Sequence, residues 1–522
     1  MQRKVIPFIS KLFWILFFII FVNISFLAIN DIIQGFNNNY PAGYTYGKYP
    51  ERKSALILSC IFALYGFCIL IFQNKLNNRF GILNDKVIQK SLPYLLFFIS
   101  IVVRLVAVYA TGMNTQYGSD VKNAIDICLE EKFPIESAVF SIGSAWAIWP
   151  IYLKIVYHLF GTIIFPGILL NTIWGGLSVV LLYLVVFEKT KDVKWALISA
   201  EILMFWPIHV FWTISLRPEH ICIVLYLLCL FLFFKAQKVS SQKISSLLIC
   251  LSAISLALSS FFKRIDQIII IAAIISFILF FINRLLLPRM SRQNINTKSY
   301  LFKFALFGIV YLLIIELGFY CLDHLYVHGI NRKIGAHYLE IGLSPWSDGT
   351  MHGLKDPTKP FNVTGHYVNK NNYDYDAAAR EVLDFLKNEI QEENNLTFKF
   401  FYNKLRISWA NQAYYNWVEG ESGKNNLVNR EYIYEYLYPM SQISYTVLLL
   451  LITYHSLYYI INPQKETNFF SFFCALVILG FLILLLIIET QPRYKCVVYP
   501  LMSILAAKGS LLIRLPHLKN KV

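Results

Sequence analysis

The fold is decided by three consecutive stretches between residues 163 and 214. They read IIFPGILLNTIWGGLSVVLLYLVV (163–186), FEKTKDVK (187–194) and WALISAEILMFWPIHVFWTI (195–214). Each apolar stretch reaches the roughly 20 residues that a helix needs to cross a bilayer. Because a helix satisfies its own backbone hydrogen bonds in hydrocarbon, the pattern predicts two spanning helices joined by a short basic loop.

The same pattern recurs along the whole chain, whose 522 residues are 57% hydrophobic and only 15% charged. A soluble domain cannot bury that much apolar surface, so membrane lipids must surround the protein. We therefore predict an all-α polytopic membrane protein of about 12 transmembrane helices, with external loop helices and a small external domain. The predicted spans lie near 9–29, 54–73, 93–111, 163–186, 195–214, 219–235, 245–262, 267–286, 302–321, 443–461, 469–488 and 497–513.

Charge patterning orients these spans. The formal net charge is +16, but Lys and Arg occur in short tracts between apolar runs, as in cytoplasmic loops of membrane proteins. This distribution indicates no nucleic-acid partner. With both termini in the cytoplasm of a plasma-membrane protein, nearly every predicted inside loop is basic.

Two long segments then fall outside the cell, and we expect the active site there. The predicted parts are residues 1–91 with two N-terminal helices, a core at 92–321 with a first external loop at 112–162, an external soluble domain at 322–442, and C-terminal helices at 443–522. Within the first loop, AWAIWPIYLKIVYHLFG (145–161) predicts a helix at the membrane interface rather than another span. In the second long segment, EVLDFLKNEI shows helical spacing of its apolar residues.

The positive-inside rule explains the basic residues of the predicted cytoplasmic loops, but not the ionisable residues at the external ends of the spans. They are, in chain order, Asp120; Arg217 and Glu219; Lys263, Arg264 and Asp266; and Glu489, Arg493 and Lys495. Arg104 lies inside the third span, where an intramembrane cation is a functional candidate or pairs with an acid such as Glu201 or Glu316.

These cations suit the phosphate of a lipid-linked sugar at headgroup level, and a positioned cation stabilises a leaving phosphate. A carboxylate such as Asp120 is able to take the proton from an attacking hydroxyl. The alternatives are structural, because cations at helix ends also extend to lipid headgroups and Asp120 also suits a helix cap. The pair His324 and His328, spaced i, i+4, is too small a set to predict a metal site.

Three stretches resemble the GT-C glycosyltransferases, in the bacterial branch similar to protein O-mannosyltransferases and the aminoarabinose transferase of lipid A (glycosyltransferase family 39-like). The first is RLVAVYATGMNTQYGSD (104–120), where a span leads into an external loop with an acid. The second is the block from Tyr152 to Leu228, with its LLN span start and Pro-acid turn. The third is ETQPRYKCVVYPLMSILAAKG (489–509).

The resemblance implies that Asp120 is the catalytic base in the first long external loop. It also implies that the carrier phosphate is held by Arg217, Lys263, Arg264 and Arg493. Further candidates are Arg104, Glu219 and Tyr494. Many relatives carry an adjacent Asp-Glu pair in that loop, whereas Val121 follows Asp120 here. A divalent metal is therefore not indicated, although the resemblance allows one, and we predict no metal-binding residue.

The expected function is inverting transfer of a monosaccharide from a polyprenyl-phosphate carrier to a cell-envelope glycan, lipid or protein at the external membrane face. Two alternatives stay open on the sequence. One is a polymerase or ligase that moves an oligosaccharide from a polyprenyl-diphosphate carrier, and the other is a flippase or transporter of lipid-linked sugar. A transporter is expected to show repeats or broken helices near the midplane, and the sequence shows neither convincingly.

Overall fold

The computed structural model describes the chain in thirteen stretches, and within them every regular element is helical, as predicted. The predicted span near 54–73 and the candidate base Asp120 lie outside these stretches. The described residues are 5–36, 83, 85–111, 144–161, 164–214, 217–286, 297–326, 330–333, 335–344, 363–393, 396–411, 438–462 and 469–513.

Seventeen α-helices form this described part, together with a π-helical turn at Arg406–Ala410 and a 3-10 segment at Pro492–Val498. In chain order they are α1 (Val5–Phe36), α2 (Lys86–Thr111), α3 (Ser144–Phe160), α4 (Ile164–Thr190), α5 (Val193–Met204), α6 (Pro207–Phe211), α7 (Glu219–Ala236), α8 (Gln242–Ser260), α9 (Asp266–Leu286), α10 (Thr297–Leu325), α11 (Gly335–Leu343), α12 (Val363–Lys370), α13 (Tyr375–Glu393), α14 (Phe398–Leu405), α15 (Tyr438–Ile461), α16 (Phe469–Ile487) and α17 (Tyr499–Leu512).

Nine stretches of the described residues are long and apolar enough to cross a membrane. They are Ser10–Ile33, Lys86–Tyr109, Phe165–Thr190, Glu219–Ala236, Gln242–Ser260, Leu301–Leu325, Pro439–Ile461, Phe469–Ile487 and Pro492–Leu512. Shorter apolar helical stretches lie at Ile148–Phe160 and Asp266–Leu279. The chain is thus an integral multi-pass membrane protein.

The predicted run 195–214 is not one continuous helix. Helix α5 begins after Asp192, whose side chain accepts a hydrogen bond from the Trp195 amide at 3.1 Å. It ends at Met204, and α6 begins at Pro207. Proline has no amide hydrogen and suits the first position of a helix, so Pro207 separates the two. The break turns the chain just before Arg217 and Glu219.

Close helix contacts hold the bundle together. A side chain at Gly509 of α17 would put its Cβ 2.2 Å from the Leu451 carbonyl oxygen of α15. Small residues allow such approaches between membrane helices, where packing rather than water drives association. Helix α1 also belongs to this bundle, because Trp14 stacks on Tyr459 of α15 with ring centroids 5.3 Å apart.

A buried ion pair ties the other half of α1 to the π-helical turn. The Arg406 Nε donates to the Asp31 carboxylate at 2.7 Å, and Asp31 is only 6% exposed. The π-helical turn follows α14, which belongs to a group of four helices (α11–α14) between the spans. In this group, Val382 and Leu386 of α13 are buried while Leu383 is exposed, so α13 is amphipathic.

Opposite ends of α7 define two ends of the bundle. At the site end, where α7 begins, Lys263 of the α8–α9 connection pairs with Glu219. At the lysine end, where α7 stops, Lys303 of α10 donates to the Ala236 carbonyl at 3.2 Å. The 18 residues of α7 separate these ends by about 27 Å at 1.5 Å per residue, close to the hydrocarbon thickness of a bilayer.

Candidate functional site

Three segments distant in sequence meet at the site end: the start of α7, the α8–α9 connection and the 3-10 segment. The backbone amide of Lys263 donates to the Ser259 carbonyl at 3.0 Å and so continues the last turn of α8. The Lys263 side chain then extends toward α7. There its ammonium lies 3.8 Å from the Glu219 carboxylate. The Cys222 thiol one turn further along α7 donates to the Lys263 carbonyl at 3.5 Å.

Lys263 also faces the aromatic ring of Tyr494. Its ammonium lies 4.6 Å from the ring centroid, within cation–π distance. The Tyr494 hydroxyl donates to the Glu489 carboxylate at 2.6 Å, and the Gln491 amide donates to the other oxygen of that carboxylate. A continuous chain of contacts therefore runs from Glu219 through Lys263 and Tyr494 to Glu489.

Two buried arginines complete this group. Arg217 is 1% exposed and lies 5.5 Å from the Trp212 ring centroid, while Arg493 is 7% exposed and lies 5.3 Å from the Tyr494 ring centroid. The charges of Arg217, Glu219, Lys263 and Arg493 all act on the nearby Cys496 thiol. We call the set Arg217, Glu219, Lys263, Glu489, Arg493 and Tyr494 the charged cluster. It contains three cations and two carboxylates.

Arg264, predicted beside these residues, faces another helix. Its guanidinium lies 5.5 Å from the ring centroid of Phe319 in α10. Asp266, at the start of α9, accepts a hydrogen bond from the Tyr311 hydroxyl of the same helix α10. The structure thus brings Arg217, Glu219, Lys263, Arg493 and Tyr494 together and turns Arg264 toward α10.

Arg104 has a buried site of its own beneath the charged cluster. Its guanidinium donates to the Ser100 carbonyl at 3.1 Å and contacts the His209 Nδ1 at 2.7 Å. His209 in turn contacts the Ser178 hydroxyl at 3.3 Å and the His220 ring at 4.8 Å between centroids. Since His220 follows Glu219, this network reaches the start of α7.

The acids suggested as partners of Arg104 do not take that role among the described residues. Glu316 pairs instead with Arg332 at 3.5 Å, and the hydrogen bonds of Arg104 go to Ser100 and His209 rather than Glu201. Gly175 makes room for the guanidinium, because a Cβ there would lie 2.3 Å from the Arg104 Nε.

Two buried lysines hold the 3-10 segment and the residues just before it; Lys495 was singled out from the sequence without this role, whereas Lys404 was missed. The Lys404 ammonium of α14 donates to the Gly342 and Ile488 carbonyls, the latter at 2.8 Å. The Lys495 ammonium donates to the Ser408 carbonyl at 2.9 Å and to that of Asn411. The only sequence signal is weak: Lys404 is four residues after Phe400, on the buried face of a short helix.

Helix α11 closes over the same segment. The Glu489 amide donates to the Tyr338 carbonyl at 2.9 Å. Burial lowers the pKa of Lys404 to about 7, although the Glu489 charge opposes this. Burial also raises the pKa of Glu340 in α11 to about 7, opposed by the Ser344 hydroxyl and reinforced by Glu389. Both groups lie outside the helices that are long and apolar enough to cross a membrane.

Asp120 falls outside the described residues, and its position relative to the charged cluster stays a prediction. His328 lies outside them too, and the His324 Nδ1 donates to the Tyr320 carbonyl of its own helix at 2.8 Å. Within the described stretches, three or more His, Cys, Asp or Glu side chains nowhere gather in a metal-binding group.

Part of the chain, including several residues of the charged cluster, matches a known protein family. Residues 145–313 match the family model described as dolichyl-phosphate-mannose-protein mannosyltransferase. The match runs from α3 into α10 and includes Arg217, Glu219, Lys263 and Arg264, whereas Arg493 lies beyond it. It confirms the resemblance to the GT-C glycosyltransferases and, with the apolar helices, supports a membrane glycosyltransferase.

The comparison with solved structures gives a distant similarity. The chain aligns with the crystal structure of the oligosaccharyltransferase of Archaeoglobus fulgidus in its apo form, at 12% identity and a TM-score of 0.43. The alignment covers 79% of this chain and 50% of that one, so the chain spans about half the length of that protein. Comparison with curated proteins gives no match.

Proposed function

We propose that the protein transfers a monosaccharide from a polyprenyl-phosphate carrier to a cell-envelope glycan, lipid or protein at the external membrane face. The observation that carries this proposal is the charged cluster. Three cations in a largely buried site, two of them arginines, exceed the carboxylates beside them and so favour an anionic ligand. Arginine also matches phosphate oxygens with two parallel hydrogen bonds.

The orientation of the site follows from the charges at the other end. The lysine end carries Lys189 in the last turn of α4, Lys191 in the α4–α5 connection and Lys238 in the α7–α8 connection, and basic connections stay in the cytoplasm. The site end then faces outward. A phosphate at that end lies at the depth of lipid headgroups, with its prenyl chain among the spanning helices.

The proposed reaction is a single displacement. The acceptor hydroxyl attacks the anomeric carbon from the face opposite the phosphate, and Asp120 takes the hydroxyl proton. The bond from that carbon to the phosphate oxygen breaks, and its electron pair stays on the phosphate. Arg217, Lys263 and Arg493 stabilise the charge that develops there, a contribution usually large in transfer reactions. Attack from the opposite face inverts the anomeric configuration.

The description of the matched family supports the donor class, because it names a sugar linked to a polyprenyl-type lipid through one phosphate. One feature of the chain supports the acceptor side. Helices α11–α14 lie over the segment that carries Arg493, as Lys404 and Tyr338 contact residues 488 and 489. An acceptor held by this external group would reach the sugar from the aqueous side.

A single-turnover assay tests the proposal. Membranes with wild-type protein or Asp120→Asn at matched expression receive radiolabelled polyprenyl-phosphate sugars, and Asp126→Asn in the same segment is the control. We expect Asp120→Asn to lower transfer by roughly 10²–10⁴, the usual contribution of a general base, while carrier binding is retained. The control is expected to act like wild type.

The outcomes separate the alternatives. Wild-type rates in Asp120→Asn would remove Asp120 as the base. A ladder of chain lengths made from diphosphate-linked oligosaccharides, with no transfer from any monophosphate donor, would identify a polymerase or ligase. Movement of labelled donor across the membrane without a transferred sugar would identify a flippase.

A further inference from the structure

A cavity separate from the charged cluster lies toward the lysine end. It has a volume of about 510 Å³ and is lined by residues of α7, α8, α9, α10, the last turn of α4 and the first residues of α16. Its size falls in the range of ligand sites, roughly 300–1,000 Å³. Its walls include Cys229 to Phe234 of α7 and Gln237 just past the end of that helix, ten residues or more beyond Glu219 and therefore about 15 Å or more along the helix.

The walls are aromatic and aliphatic. Phe304 of α10 lies 5.6 Å from Phe233 of α7 and 4.5 Å from Phe277 of α9, measured between ring centroids. Ile274 also lines the cavity and is 48% exposed, so the space opens sideways toward the lipid. Protein interiors are close-packed, and an empty apolar void becomes more destabilising as its volume grows. A hydrocarbon chain is the natural filling.

The rim at the lysine end is basic. Lys189 lines the cavity, and its ammonium lies 4.9 Å from the centroid of the Phe234 ring. Lys303 reaches the carbonyl of Ala236 from α10. Lys238 is paired with Glu188 at 3.2 Å, so that carboxylate is already neutralised by a neighbouring lysine.

A polar group beside these lysines also lacks a partner. The side-chain oxygen of Gln237 is buried and accepts no hydrogen bond among the described residues, although Gln237 lines the cavity next to Lys189. An amide there is able to meet a hydroxyl or ester of a headgroup. The rim therefore offers positive charge and hydrogen bonding at the mouth of an apolar chamber.

We infer that this cavity is a binding site for an anionic glycerophospholipid of the cytoplasmic leaflet, with one acyl chain between the phenylalanines and the headgroup on Lys189. Basic pockets between membrane helices at the cytoplasmic side bind anionic headgroups in this way. The sugar donor is a different ligand, because its phosphate belongs at the charged cluster on the opposite end of α7. The inference stands apart from the transfer reaction.

Gly308 allows the acyl-chain part to be tested without disturbing the helix contacts. It lines the cavity, and a Cβ built there meets no atom within 4 Å. Gly308→Phe therefore fills the chamber, while Ile309→Phe, at an adjacent position that is 65% exposed, adds an aromatic side chain outside it. Lys189→Gln removes the rim charge, and Lys191→Gln, just after the end of α4, is its control.

The measurement is native mass spectrometry of delipidated full-length protein titrated with palmitoyl-oleoyl phosphatidylglycerol or phosphatidylcholine. We expect one tightly bound phosphatidylglycerol, lost in Gly308→Phe and kept in Ile309→Phe. Lys189→Gln is expected to weaken phosphatidylglycerol binding by about fivefold, the effect of one lysine near an anionic headgroup. We expect no change in its phosphatidylcholine binding, and no change in phosphatidylglycerol binding by Lys191→Gln.

Three results would overturn the inference. One is that wild type and Lys189→Gln each bind phosphatidylglycerol and phosphatidylcholine equally tightly. A second is unchanged phosphatidylglycerol binding in Gly308→Phe. The third is one-for-one displacement of the bound lipid by polyprenyl phosphate, which would give the cavity to the donor chain instead.

Discussion

The ammonium of Lys263 lies 4.6 Å from the ring centroid of Tyr494, and this contact joins the two halves of the charged cluster. Lys263 follows α8 within the part of the chain that matches the family model, whereas Tyr494 precedes α17 beyond it. The proposed phosphate site therefore depends on the C-terminal helices as much as on the matched core.

The cation of Lys263 is expected to act in transfer rather than in folding. Lys263→Met keeps the apolar stem over Tyr494 and removes the charge. We expect kcat/KM for sugar transfer to fall by roughly 10²–10³, as when one group that stabilises transition-state charge is lost. Arg332→Met is the control, because Arg332 is partly exposed and pairs with Asp323 away from the cluster. Equal activity of the two variants would contradict the assignment.

Gly342 is expected to be essential for seating α11 against the 3-10 segment. A Cβ at this position would lie 2.2 Å from the carbonyl carbon of Ile488. Gly342→Ala must push the backbone apart and weaken both hydrogen bonds of Lys404, so we expect a loss of about 1–3 kcal/mol in stability. Gly335→Ala in the same helix meets no atom within 4 Å and is the control. Thermal melting in detergent compares them, and equal melting temperatures would contradict this role.

The Asp31–Arg406 pair predicts a non-additive response. Breaking a buried pair from one side leaves an uncompensated charge and costs about 3–5 kcal/mol, whereas replacing both partners is often nearly neutral. We therefore expect Arg406→Met alone to destabilise the protein more than the double variant Asp31→Asn, Arg406→Met. A double-mutant cycle on urea unfolding checks this. Additive effects would show that the pair contributes little.

The pKa values of Glu340 and Lys404 predict a minimum of local stability near pH 7 in α11 and α14. Between pH 4.5 and 7 the unfolded segment releases the Glu340 proton while the folded one keeps it, so stability falls as pH rises. Between pH 7 and 10.5 the folded segment releases the Lys404 proton first, so stability rises with pH. Each limb changes the opening equilibrium by up to about tenfold per pH unit.

Hydrogen exchange of peptides from α11 and α14 measures this profile, with each variant compared with wild type at the same pH. Glu340→Gln is expected to remove the falling limb and Lys404→Met the rising limb. His337, Glu389 and Glu489 lie nearby and stay unchanged in both variants. A wild-type profile that rises or falls steadily across pH 5 to 10, about the range covered by the two groups, would contradict the prediction.

Apolar runs predicted the helices well, because length and composition decide what crosses a bilayer. The span expected at 245–262 is α8 at Gln242–Ser260, and the one at 469–488 is α16 at Phe469–Ile487. The break at Pro207 was missed, because the mean hydropathy of residues 195–214 stays high although the proline interrupts the helix. Asp120, which the resemblance singled out, lies outside the described residues, so its role stays a prediction.

The grouping of charges was harder to foresee. Topology predicted that Glu219, Lys263 and Arg493 share one face of the membrane, but not that Lys263 reaches Tyr494 while its neighbour Arg264 turns to Phe319. Such choices depend on side-chain direction at the end of a helix. The partner of Arg104 was missed for a related reason: His209 lies 105 residues away in sequence, and only the packing of α2 against α6 brings them together.

The most direct test of the account is the stoichiometry of sugar transfer and carrier release by wild-type protein in membranes. We predict that each transferred monosaccharide is matched by one released polyprenyl monophosphate, and that Asp120→Asn lowers both by the same factor. Release of a diphosphate, or the absence of transfer from every polyprenyl-phosphate sugar supplied, would contradict it.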